Sequence, residues 1–170
     1  MKQLFHFKTD NTPEFRISRT AEGTIFELVT LVLVVAMWCL AAWAFVHSPE
    51  QVATHFDLKG VADSYGERWN ILIVALIATL LVLFLVAAAY APQRMTNLPV
   101  KIKTPKQHLL ASRMIRILAL LITVLFTCVV LMMAFPGSAL PLYLLYFFTA
   151  ITIIVPLVFT VLVYKARSRE

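Results

Sequence analysis

The sequence predicts an all-α integral membrane protein of four transmembrane helices, N-in/C-in, with a structured extracytoplasmic loop between helices 1 and 2. Three observations support this. Of 170 residues, 61% are hydrophobic and only 14% charged, where soluble domains carry roughly half apolar and a quarter charged residues. The apolar excess is gathered into four long blocks. The basic residues crowd into alternate connections between those blocks.

The first block, Thr24 to Val46, has Glu27 as its only charge. At about 1.5 Å per helical residue it exceeds the ~30 Å hydrocarbon core. Ala42-Trp43-Ala44 has the small-x-small form of a cleavage site. The polar arm before the block and the length of the apolar run instead predict an uncleaved anchor. The second block, Ile71 to Ala91, has no charge. The third, Ile117 to Phe135, follows Arg116, and the fourth runs from Leu142 to Tyr164. In lipid each peptide group needs a partner within its own segment, so all four are expected to be helices. Residues 1–170 make one membrane domain, with an outer loop at 47–70 and a basic inner loop at 92–116.

Charge sets the expected orientation. The amino-terminal arm carries Lys2, Lys8, Arg16 and Arg19. The 92–116 segment carries Arg94, Lys101, Lys103, Lys106, Arg113 and Arg116 without an acid, and the tail carries Lys165, Arg167 and Arg169. The 47–70 segment has only Lys59 and Arg68 against Glu50, Asp57, Asp63 and Glu67. Lysine and arginine stay on the cytoplasmic side, so both termini and the 92–116 loop are expected inside. This asymmetry accounts for the basic composition, and no nucleic acid is expected as a partner. Trp43, Trp69 and Tyr143 fall near the outer boundary and Tyr90 and Tyr164 near the inner one, as interfacial rings do. Trp38 lies deeper, against another helix. Cys39 and Cys128 fall within spans and read as small apolar residues.

Two ionisable residues approach the membrane interior, Glu27 and Arg116. Glu27 stands three residues after Thr24, the spacing of a capping box. Arg116 can snorkel to the inner headgroups, and the two can pair. No span carries an Asp, Glu, Lys or His at mid-depth, which argues against ion-coupled transport. Ala75/Thr79 and Thr123/Thr127 read as packing seams. Pro156 is expected to kink the fourth span, with Thr152 bonding a freed backbone group. His6 and His108 are expected in solvated segments.

The outer loop carries most of the functional information. Ser48 as N-cap, Pro49 at the first helical position and Gln51 three residues after the cap predict a short helix. Turns are expected at Gly60 and Gly66, both with positive φ. His55, Asp57, Asp63 and Glu67 lie close together in sequence. One reading has His55 bonding the loop to itself and Asp57 capping the turn. The other has His55, Asp57 and Asp63 binding a metal or small ligand, as in an accessory or transporter subunit. The spacing matches no metal motif, and no nucleophile elbow or phosphate-binding glycine loop is present. The expectation is a non-enzyme without catalytic residues, cofactor or resident metal.

The order Pro49, His55-Phe56-Asp57, Gly60, Asp63, Gly66 and Arg68 between two spans resembles a bacterial membrane domain of unknown function. That domain forms the amino-terminal part of SdpI-type immunity proteins. The resemblance covers roughly residues 28–90. It departs at Ala53 and Ala62, where the family often has proline, and SdpI-type proteins proper have further spans. The resemblance implies a bacterial inner-membrane protein of the immunity or signalling kind, whose relatives shield the cell from a secreted toxic peptide. The family offers no catalytic residue to carry over. The expected partners are the lipid bilayer, an extracytoplasmic peptide toxin or a membrane protein, with oligomerisation open.

Overall fold

Thr20 starts the first helix, α1 (Ala21–His47), by accepting the Gly23 N–H on its hydroxyl at 3.1 Å. The computed structural model describes residues 20–97 and 99–167. The basic residues of the amino-terminal arm, His6 and Arg169 lie outside them. After α1 come two strands, β1 (Gln51–Phe56) and β2 (Ala62–Glu67). They are followed by α2 (Trp69–Tyr90), a single turn α3 (Pro92–Met95), α4 (Pro105–Ala134) and α5 (Ala139–Arg167). The protein is mostly helical, with α1, α2, α4 and α5 each long and apolar enough to cross a membrane. The all-α expectation is corrected by the small antiparallel sheet β1–β2.

α4 is the centre of the bundle, packing against α1, α2 and α5. The buried residues of α1 repeat every seven positions, at Gly23, Thr30, Met37 and Ala44, with Ala41 between the last two. Those of α2 include Ile71, Ala75, Ala78 and Val82 at alternating four- and three-residue steps. This is the seam of near-parallel helices, and its small residues let backbones approach where lipid supplies no hydrophobic drive. Met37, Ala41, Ala44, Ile71, Ala75, Ala78, Val130 and Met133 form one buried cluster, which Val52 of β1 joins from the sheet. A second cluster, Ala88, Ala89, Met114 and Ile115, fills the opposite end. The remaining faces of the helices are apolar and exposed, as contact with a lipid bilayer requires.

Hydrogen bonds tie the seams. Trp38 Nε1 donates to Thr79 Oγ1 at 2.9 Å, and the Thr79 hydroxyl donates to the Ala75 carbonyl at 2.8 Å. Thr123 and Thr127 bond the carbonyls of Ala119 and Thr123 in the same way. α5 continues through Pro156. Thr152 donates to the Phe148 carbonyl at 2.8 Å, one turn back, and so does not serve the group that Pro156 frees.

Two further expectations need correction. The third span begins at Pro105, twelve residues before Ile117. Thr104 accepts the Gln107 N–H, while the Gln107 side chain accepts the Thr104 N–H, a complete capping box followed by proline. The longer helix carries His108 into the bundle, where it is 1% exposed. Gln107, equally buried, donates from Nε2 to the Val163 carbonyl at 3.0 Å and ties α4 to α5.

Candidate functional site

The expected short helix after Ser48 is a β-hairpin instead. Ser48 ends α1, its N–H bonded to the Ala44 carbonyl at 2.8 Å. Its extended backbone is what a residue preceding proline adopts. Pro49 thus follows a helix rather than opening one. Val52 and Ala53 are both buried, and Val52 joins the cluster of α1, α2 and α4 at the bundle end. A helix-start signature lost to tertiary burial and cross-strand pairing.

The hairpin turn is built by Asp57 and Gly60. Gly60 N–H bonds the Asp57 carbonyl at 2.9 Å, and Gly60 itself stands at φ +78°. The Asp57 carboxylate accepts the Lys59 and Val61 N–H groups, both at 2.8 Å. The turn and its capping are as expected from the sequence. Gly66 is not a turn. It lies in β2 opposite Val52, and a Cβ there would stand 2.8 Å from Asn70 Nδ2 and 3.0 Å from Thr54 Cγ2. Gly66 leaves room for the Thr54 and Asn70 side chains to approach closely and does not have a positive φ.

Register shifts on either side of the His55–Ser64 pair leave Thr54 and Asp63 without a direct partner in the ladder. Such irregularities re-aim side chains. Here they bring His55 Nδ1 to 2.5 Å from Asp63 Oδ1, with both side chains facing solvent at 71% and 49% exposure. The other motif residues serve the hairpin. Phe56 packs against the buried cluster, and Arg68 lies with its guanidinium 5.0 Å from the Phe45 ring centroid. Trp69 meets the same ring at 4.6 Å. Asp57 is turned into its own backbone. Among the described residues no three His, Cys, Asp or Glu side chains converge as a metal would require.

Two residues with no motif signal of their own anchor the hairpin to α5. Tyr146 donates to the Leu58 carbonyl, and Leu142 fills the space where Gly60 lacks a side chain. A cavity of about 370 Å³ opens between the hairpin tip and the turn joining α4 to α5. Lys59, Val61, Tyr65, Ser138 and Tyr143 are among its lining residues. Leu58, Val61 and Tyr65 are exposed around the tip.

At the other end of the bundle, Glu27 and Arg116 do pair. Arg116 Nε donates to Glu27 Oε1 at 3.2 Å, and the Tyr90 hydroxyl donates to the same oxygen at 2.6 Å. The guanidinium lies 5.1 Å from the Tyr90 ring centroid. Glu27 therefore does not form a capping box with Thr24, because Thr20 caps the helix one turn earlier. Arg116 is 6% exposed and lies against the Gly23 backbone, where a Cβ would stand 2.8 Å from its Cζ. Arg113 holds Glu22 at 2.6 Å beside it. The group joins α1, α2 and α4 at the end of the bundle away from the hairpin.

A family model described as "Domain of unknown function (DUF1648)" matches residues 32–79. The matched stretch covers the second half of α1, the hairpin and the first half of α2. No curated protein matches the chain, and no solved structure does.

Proposed function

We propose that this is a non-enzymatic bacterial inner-membrane protein, akin to SdpI-type immunity and signalling proteins, that recognises an extracytoplasmic peptide or partner protein through its hairpin. One observation carries the reading. Of the eight motif residues, only His55 and Asp63 combine an exposed, paired polar group with no other task in the hairpin. They share the hairpin with exposed Leu58, Val61 and Tyr65, and with the cavity beside the α4–α5 turn. Apolar side chains next to fixed polar groups on a docked, preorganised element are what a peptide ligand needs. The family match spans this hairpin and supports the same region.

Charge supports the orientation. Arg94, Lys101, Lys103, Lys106, Arg113, Arg116 and Lys165 belong to the connection and helix ends opposite the hairpin, which favours that end in the cytoplasm and the hairpin outside. The test is protection of a sensitive bacterium expressing the chain against supernatants containing secreted toxic peptides. His55→Ala and Asp63→Asn should each abolish protection at unchanged membrane protein level. Full protection by both variants would sink the reading.

A further inference from the structure

We propose that the groove between the first turn of α4 and the last turns of α5 binds one anionic phospholipid, its phosphate held by Lys106 and Lys165 and an acyl chain lying on Leu110 and Leu162. The groove encloses about 260 Å³ and is lined by these four residues and Ala166. Leu110 stands one turn inward from Lys106 on α4, and Leu162 nearly one turn inward from Lys165 on α5. The cationic rim therefore lies toward the bundle end and the apolar floor toward its centre, the order of headgroup and chain in a phospholipid. A free phosphate would use the rim alone.

Charge points the same way. Lys106 occupies the first turn of α4, where the helix dipole disfavours a cation and favours an anion. The groove walls are fixed independently of any lipid by the buried Gln107–Val163 bond. Basic grooves between helices at a membrane face are where anionic headgroups collect, each lysine adding about 1 kcal/mol, or roughly fivefold in affinity.

Native mass spectrometry of the full chain in non-ionic detergent, titrated with dioleoyl phosphatidylglycerol or dioleoyl phosphatidylcholine, tests this. One phosphatidylglycerol should be retained with a preference of roughly thirtyfold, the product of two lysines. Lys106→Gln and Lys165→Gln should each lose roughly fivefold of that preference, and the double variant should show none. Lys101→Gln, outside the groove, should keep it. Equal retention of the two lipids by the unaltered chain overturns the proposal, whatever the variants do. So does a double variant that still prefers phosphatidylglycerol, or displacement of the lipid by millimolar inorganic phosphate.

Discussion

Arg116 and Gly23 illustrate how much a single missing methyl group can decide. The guanidinium reaches Glu27 and Tyr90 across space that α1 leaves open at Gly23. Gly23→Ala should push Arg116 aside and cost about 1–3 kcal/mol, the usual range for overpacking. Arg116→Ala leaves Glu27 partly buried with Tyr90 alone and should cost about 3 kcal/mol. In the double variant the two losses should fall short of their sum, since the added methyl group then has room. Denaturant titration of the detergent-solubilised protein reads all three. Two other glycines form a matched pair. Gly60 and Gly137 both have positive φ, but a Cβ at Gly60 would stand 2.7 Å from Leu142 Cδ2 while one at Gly137 meets nothing within 4 Å. Gly137→Ala should therefore cost only the backbone term, about 1–2 kcal/mol. Gly60→Ala should cost more in the same titration, and the excess should disappear in a Leu142→Ala background. Equal costs would mean that the hairpin does not bear on α5.

Helix α2 shows how one element divides its faces. Ala75 and Ala78 are fully buried, while Leu76, Ile77 and Leu80 are exposed on the lipid side. Ala75→Leu should part α2 from its neighbours and cost about 1–3 kcal/mol. Ile77→Leu should stay within about 0.5 kcal/mol of the unaltered protein. Thermal melting in detergent separates the two. The helices were largely legible from apolar run length because lipid leaves a long apolar segment no other fold. Their ends were not. The Thr104-Pro105-Lys106-Gln107 capping signature is written in the sequence, yet the basic residues that follow look solvated until α1 supplies Glu22 and Glu27 as partners for two of them. Ser48-Pro49 suits a helix start as well as a helix end, so local pattern alone does not separate a short helix from the hairpin.

The four helices and the hairpin give the molecule two unlike ends, one acidic and folded into a sheet, the other basic. With Cys39 and Cys128 replaced by serine, single cysteines at Leu58 and Ser138 should react with a membrane-impermeant maleimide added outside intact cells. Cysteines at Gln93 and Lys101 should react only after the membrane is opened. The reverse pattern would invert the proposed orientation and put the hairpin in the cytoplasm.

What the sequence determined is membrane class, span number and the turn chemistry of Asp57 and Gly60. Each rests on local rules: the length needed to cross hydrocarbon, hydrogen bonds closed within a segment, and φ values that few residues tolerate. The tertiary structure alone decided which polar groups meet. Tyr90 with Glu27, Tyr146 with Leu58 and Gln107 with Val163 are separated by more than fifty residues in every case. The His55–Asp63 contact depends on two irregularities of strand register. Helix packing and strand register arise from burial shared between segments, and no one segment's pattern contains them.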